Sequence, residues 1–349
     1  METKNTIMTL ILHNSVFLPL SNGHGGEKRT YQILFDLQEK GYSLQEVNFS
    51  KSKRLYIRSL FSAFILLMRV YGITHWKSPK AFLKFLITTA YQYDQLVSSF
   101  RDSDADFFLW ESVRPERYLL LYLAQKYGKK VIACPHNVES LVPLQNSSLF
   151  RFSKKQAFEW EMNVLKACEQ VYAISHEETW LLSLWGVKAK CYLYKPVGEI
   201  LSQMQTLRLQ REHAMDKNNY LLLGTAINEP TRWGMQHIID LWIEHSVPYS
   251  LHIGGYGTEK LSIPQGEKQI FFLGEMTDTQ LQNEQIHAKA LLIYQPPTTG
   301  ALTRISEALA VGIPIIANDA AARSYHNIPN VYVYQDDVEL LEIISKNNL

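Results

Sequence analysis

Cysteine is scarce in this chain, and what there is stands alone. Cys134, Cys168 and Cys191 are odd in number and far apart, with no pair at Cys-x-x-Cys spacing. This argues against a disulfide framework or a cysteine zinc site and points to a reducing compartment. Long apolar runs are also missing: no stretch reaches the roughly eighteen residues that a bilayer-spanning helix needs. No signal peptide is legible, because Glu2 and Lys4 precede only a short apolar run with strand character. The expected location is the cytoplasm. A large net charge is absent too: the formal value is +1. With no global field and no binding motif, nucleic acid is not an expected partner. There is no low-complexity tract and no short internal repeat.

What remains is an ordinary globular composition. Hydrophobic residues make up 46% and charged residues 20% of 349 positions, enough chain for about two domains. Tryptophan and tyrosine are plentiful, which suits sugar or base stacking as well as core packing.

Apolar runs and helical patterns alternate along the chain. Residues 9–13 read as a first strand, followed by the loop SNGHGGEKR (21–29), a helix ending near Gly41 and a strand in 44–49. Strands are expected at 106–110, 130–134 and 169–175, with helices over 118–127 and from His176. Near Pro196 the pattern changes, and the polar residues 198–218 read as a linker with helical character. A second cycle begins with the strand 220–224. It runs through strands at 250–255, 270–274 and 290–294 to a helix near 338–344. Such alternation predicts an α/β fold of parallel sheets with functional loops at the strand C-termini.

The segment TTGALTRISEALAVGIPIIAND (298–319) carries the strongest functional signal. A glycine turn at Gly300 opens a segment with Ile305, Ala308 and Leu309 at helical spacing. Gly312 and Pro314 end it, and a buried strand follows. A glycine loop feeding a helix offers free amides and the positive end of a helix dipole, which suits phosphate. Glu307, one turn in, is placed to accept hydrogen bonds from a ribose. The plain alternative is a βαβ crossover whose glycines serve only the turns.

Four pieces in order resemble the GT-B glycosyltransferases, nearest the retaining family 4 group. They are GGEKRTYQILFDLQEKGYSLQEV (25–47), PHNVES (135–140), VYAISHEE (171–178) and TTGALTRISEALAVGIPIIAN (298–318). The resemblance implies two Rossmann-like domains facing across a cleft: 1–197 for the acceptor and 219–349 for a nucleoside diphosphate sugar. It implies a UDP- or GDP-type sugar as substrate, a glycan or glycolipid acceptor, and no cofactor or obligatory metal. A departing diphosphate then needs N–H donors and positive charge from the protein. Gly300, Ala301, Leu302 and Thr303 are the expected donors, with Gly224 and Gly274 completing the donor-sugar set; the loop from Gly274 grips the base through its backbone. His136 is expected beside the transferred sugar, or as a packing residue. His24, Gly25, Gly26 and Asn137 form the acceptor and phosphate loop. Glu139 is a helix cap or, alternatively, an acceptor base.

Two departures stand out. Where the family places an arginine and then a lysine, this chain has Thr225 and Trp233. Arg232 is the candidate replacement cation, and Arg304 the alternative; for Arg304 a solvated position or an internal ion pair is the competing reading. The family's paired glutamates, eight positions apart, fall here on Thr299 and Glu307. A threonine hydrogen-bonds a hydroxyl but does not stabilise positive charge at an anomeric carbon. This bears on the retaining mechanism and leaves two other readings open: a non-catalytic nucleotide-sugar-binding protein, and a nucleotide-sugar epimerase of the same architecture. The relatives' C-terminal tail that returns to the first domain is expected to be short or absent here.

Acids are missing altogether between Lys51 and Tyr93, where basic residues interleave with aromatic and aliphatic ones. Phe61, Phe64, Ile65 and Met68 share a helical face. Residues 51–85 thus read either as a basic amphipathic surface for an anionic membrane, placing the protein peripherally on its inner face, or as a helix packed on the sheet with that stripe in the core.

Overall fold

Parallel strands cannot be joined by tight turns, so a chain that alternates short apolar runs with helices must build its sheets through crossovers. A computed structural model describes residues 9–142, 147–263 and 267–346. The readings of the two chain ends concern residues 1–8 and 347–349, which lie outside the described residues. The chain divides into two compact units, residues 1–193 and 194–349.

The first unit contains β1 (Thr9–Asn14), α1 (Gly25–Glu39), β2 (Tyr42–Glu46), α2 (Ile57–Tyr71), α3 (Pro79–Arg101) and β3 (Phe107–Trp110). It continues with α4 (Tyr118–Lys126), β4 (Lys130–Ala133), α5 (Lys154–Lys166), β5 (Gln170–Ala173), α6 (His176–Leu184) and β6 (Ala189–Cys191). Its six strands pair in parallel in the order β2-β1-β3-β4-β5-β6. Ile11 is in register with Phe107, and Phe107 with Lys130. Alternate residues feed opposite faces. Leu12, Phe108, Trp110 and Val131 enter the larger core with α2 to α4, while Ile11, Leu109 and Cys134 meet Ile33 of α1.

The second unit contains α7 (Gly198–His213), β7 (Asn219–Leu223), α8 (Glu229–Glu244), β8 (Ser250–Gly254), β9 (Ile270–Gly274) and α9 (Asp278–His287). It ends with β10 (Ala288–Ile293), α10 (Thr303–Val311), β11 (Ile315–Asn318), β12 (Val331–Tyr334) and α11 (Asp337–Lys346). Its order is β12-β11-β10-β7-β8-β9, again parallel throughout. Tyr220, Leu222, Ile253, Leu292 and Ile316 pack against Ile238 and Trp242 of α8 and Leu340 and Ile344 of α11. Most of the stretch read as a linker is α7. Its buried Arg211 donates to the carbonyls of Gln285, Ile286 and Ala288 at the end of α9 and of Gly312 at the end of α10. One guanidinium thereby satisfies two helix C-termini.

In each sheet the direction of winding reverses once, between β1 and β3 and between β7 and β10. The C-terminal ends of those strands diverge into crevices where open α/β sheets bind ligands. Both candidate clusters lie there.

Candidate functional site

In the first unit, His13 is the penultimate residue of β1 and is in register with Leu109 of β3, two residues before Glu111, which directly follows β3. His13 Nε2 donates to Glu111 Oε1 at 2.6 Å, and its Nδ1 donates to Glu46, its register partner at the end of β2. Glu111 Oε2 accepts from Thr30 Oγ1 of α1 at 2.6 Å and from His136 Nε2 at 3.1 Å. His13, Glu111 and His136 are all buried. Burial alone would lower the pKa of His13, but hydrogen bonds and charge from Glu111 and Glu46 outweigh it and raise the value to about 9. Burial would likewise raise Glu111, and its histidine partners instead hold it at about 2. At neutral pH the cluster is therefore an imidazolium clamped to a carboxylate. A carboxylate only accepts, so His136 carries its proton on Nε2 when neutral, and Nδ1 is left as an acceptor.

Phe17 ties this cluster to the loop before α1. Its ring meets His136 edge-on at 4.7 Å and His24 at 5.2 Å. A Cβ on Gly26 would lie 2.9 Å from the Phe17 ring, so only glycine permits this approach. The expected residues His24, Gly25, Gly26 and His136 are thus brought together around a phenylalanine that sequence reasoning did not single out. His24 itself is the N-cap of α1: Nδ1 accepts from Gly26 N at 3.2 Å, and Glu27 Oε2 accepts from His24 N at 3.0 Å. Asn137 is half-buried in the turn after β4. The cap expected of Glu139 is not made. The amides of Glu139 and Ser140 donate instead to the buried Glu161 of α5, both at 2.9 Å, while Glu139 Oε2 lies 3.6 Å from Arg114 Nε. Burial lifts Glu161 to about 7. Asn14 Oδ1 and Ser112 Oγ, beside the ends of β1 and β3, are buried without a hydrogen-bond partner among the described residues.

The second unit's crevice has the opposite character. Arg304 of α10 donates through Nη1 to the Leu223 carbonyl at 3.0 Å, where β7 ends, and through Nη2 to Gln295 Oε1 at 3.4 Å, just past β10. Its Nε is buried with no partner, and no carboxylate pairs with it among the described residues. The sequence readings of Arg304 as a solvated residue or half of an ion pair are both corrected. Position 304 lies beside the buried Ile305 in the first turn, so the half-buried residue turns its guanidinium to the strand ends. Burial, with nothing to oppose it, lowers its pKa to about 10.

Glycine makes room for this cation. A Cβ on Gly224 would fall 2.8 Å from Arg304 Nη1 and 2.6 Å from Thr231 Cγ2. A Cβ on Gly255 would fall 2.0 Å from the Gly224 carbonyl oxygen. Gly300 turns the chain with φ +83 ahead of Leu302, the N-cap of α10, whose side chain caps nothing. Ala301 and Thr303 flank it half-buried. Thr299 Oγ1 is buried and has no hydrogen-bond partner among the described residues. Gln295 and Asn318 hold one another through two backbone contacts of 2.9 Å, which fixes the floor beneath Arg304.

The remaining expected residues are spread around this floor. Glu307 Oε1 accepts from Tyr194 Oη at 3.1 Å, and Ser306 Oγ donates to the Tyr194 carbonyl at 2.8 Å. Burial and the Glu307 charge push the Tyr194 phenol up. Arg232 lies half-buried in the first turn of α8, next to Thr231 and the exposed Trp233. Gly274 ends β9 with φ +65 and accepts from Gly255 N at 2.7 Å. His13, Glu111, Thr30, Gln295 and Tyr194 went unnoticed in the sequence. The one available signal was a polar residue at the C-terminal end of a buried strand, as at His13 and Glu111.

No protein-family model matches this chain, and no curated protein matches it. Solved structures do. A structure of HepE from Anabaena in complex with UDP superposes with a TM-score of 0.61 at 15% identity, covering 97% of this chain and 89% of that one. A glycosyltransferase from Rickettsia africae gives 0.61 at 13%, covering 98% and 88%. The catalytic domain of starch synthase IV from Arabidopsis thaliana, bound to ADP and acarbose, gives 0.54 at 9%, covering 98% and 92%. Identities this low speak for the fold, and the two parallel sheets with their flanking helices agree: the chain has the α/β GT-B architecture of two Rossmann-like domains.

Proposed function

We propose that the protein is a glycosyltransferase that moves a sugar from a nucleoside diphosphate donor to a glycan or lipid-linked acceptor, without a metal ion and with retention. The observation that carries this reading is Arg304: a half-buried residue whose guanidinium reaches the β7/β10 crevice, its Nε out of solvent and no carboxylate pairing with it among the described residues. A buried, unpaired cation is costly unless an anion completes it. A diphosphate supplies that anion, and the amides at the start of α10 point the same way.

Sugar transfer breaks the bond between the anomeric carbon and the diphosphate, so negative charge grows on the leaving phosphate. Arg304 and the amides of Gly300 to Thr303 stabilise it in a site already organised before the reaction. Arg232 is the second cation. Thr299 directs its unpartnered hydroxyl at the sugar, Glu307 with Tyr194 meets the ribose, and Gly224 and Gly274 allow close backbone approach to the nucleotide. In the first unit, His136 offers Nδ1 to a sugar hydroxyl, Glu111 fixes its orientation, and His24, Gly25, Gly26 and Asn137 border the acceptor. HepE is described in complex with UDP and with UDP-glucose, which favours a uridine donor.

Thr299 also supports a second reading, a protein that binds a nucleotide sugar without transferring it, because the motif's first carboxylate is missing. Turnover separates the two. Incubation with UDP- and GDP-sugars and a membrane glycan extract should release nucleoside diphosphate. Tight binding with no release would leave the second reading standing, and no binding would remove both.

A further inference from the structure

Helix α2 carries two apolar stripes, and only one is in the core. Ala63, Leu66, Leu67 and Tyr71 face inward and are buried with the sheet and α4. On the other side Ile57 is 87% exposed and Phe61 65%, with Phe64 and Ile65 also exposed. The reading in which Phe61, Phe64 and Ile65 form the core stripe is therefore corrected: a different set of residues does that work. Helix α3, which packs on α2 through Phe82 against Phe64 (rings 6.1 Å apart), repeats the arrangement. Leu86, Thr89 and Ala90 are buried, while Leu83 and Ile87 are exposed beside Lys80 and Lys84.

The charges around these outer stripes are of one sign. Lys53, Arg54, Lys80 and Lys84 are exposed and have no ion-pair partner among the described residues. No acid occurs from Lys51 to Tyr93; the first, Asp94, lies 3.8 Å from Arg58. An apolar strip edged by unpaired cations fits an interface whose interior is hydrocarbon and whose surface is negative. It does not fit a second copy of this chain, because a two-fold contact would set cation against cation. No helix among the described residues is long and apolar enough to cross a membrane. The contact is one of lying on the surface.

We propose that the outer faces of α2 and α3 form a docking surface for an anionic lipid bilayer. Ile57 and Phe61 enter the acyl boundary, and Lys53, Arg54, Lys80 and Lys84 engage acidic headgroups. This surface is read independently of the reaction proposed above, and its test uses no nucleotide.

Sedimentation of the full chain with vesicles of phosphatidylcholine, with and without phosphatidylglycerol, tests it. The wild type should pellet with the anionic vesicles, less so as salt rises, and remain in solution with phosphatidylcholine alone. Ile57→Ser/Phe61→Ser replaces exposed residues, so it should keep the wild-type melting temperature yet lose vesicle binding. Each of Lys53→Gln, Arg54→Gln, Lys80→Gln and Lys84→Gln should lower the partition coefficient roughly fivefold. Three results would overturn the proposal. The wild type stays in the supernatant with anionic vesicles; the Ile57→Ser/Phe61→Ser variant binds as well as wild type; or gel filtration finds a dimer that this double variant dissolves, which would assign the face to a second copy.

Discussion

The strand ends of the two sheets solve the same electrostatic problem in opposite ways. At the β1/β3 crevice the buried histidine and carboxylate pair with one another: His13 lies between Glu46 and Glu111, and Glu111 accepts from three side chains. The fully buried Arg29 nearby is the exception: burial lowers its pKa, it donates to Gln32 and rests on the Tyr192 ring at 4.6 Å, and its Nε and Nη2 have no hydrogen-bond partner among the described residues. At the β7/β10 crevice Arg304 has a carbonyl, an amide oxygen and no acid. The carboxylate network around Glu111 holds its own side chains in place. An incomplete one holds a cation ready for something else. On the reading proposed above, the first crevice orients His136 and the second receives charge.

The largest test of this contrast removes Glu111. Glu111→Leu leaves the buried His13 imidazolium with Glu46 alone and deprives Thr30 and His136 of their acceptor, and should cost about 3–5 kcal/mol of unfolding free energy, read by chemical denaturation. Arg304→Met, by contrast, should leave stability unchanged or raise it, since an unpaired buried charge is replaced by a side chain of similar length. Equal and large losses at both positions would erase the distinction. His136→Ala should lower turnover by about 10²-fold while nucleotide affinity holds; an equal fall in both would make the residue a packing element.

Protonation sharpens the same comparison. The folded pKa of His13, about 9, lies above its ordinary 6.5, so its contribution is complete below 6.5 and fades as pH rises through about 9. The folded pKa of Glu111, about 2, lies below its ordinary 4.5, so its contribution is complete above 4.5 and fades as pH falls through about 2. Melting temperature should therefore decline from pH 6.5 towards pH 9 in the wild type, and less in His13→Gln. The smallest effect belongs to Tyr194→Phe, which removes one hydrogen bond to Glu307 and should change stability by about 1 kcal/mol.

Much of the architecture was legible because strand and helix periods differ along the chain. The runs at 9–13, 106–110, 130–134, 270–274 and 290–294 all coincide with strands or nearly so. β6 and β12 were not read: both are short and at sheet edges, and β6 has little apolar pattern, whereas the Val-Tyr-Val-Tyr of β12 was a signal overlooked. Long-range pairing was not legible either. His13 and Glu111 are 98 positions apart, and nothing local in either segment announces the other. The burial of Arg304 depends on which side of one helical turn meets the sheet, a choice that Ile305 makes and the arginine does not advertise. Helix α2 shows the limit most plainly: the sequence singled out the stripe of Phe61, Phe64, Ile65 and Met68, and packing put Ala63, Leu66, Leu67 and Tyr71 in the core instead.

The central claim is that Arg304 waits for the charge of a diphosphate. Calorimetric titration of UDP and of uridine into the wild type and Arg304→Met tests it directly. Wild type should bind UDP far more tightly than uridine, and the substitution should weaken UDP by about 10²-fold or more while leaving uridine unchanged. An unaltered ratio of the two affinities in a folded Arg304→Met protein would contradict it.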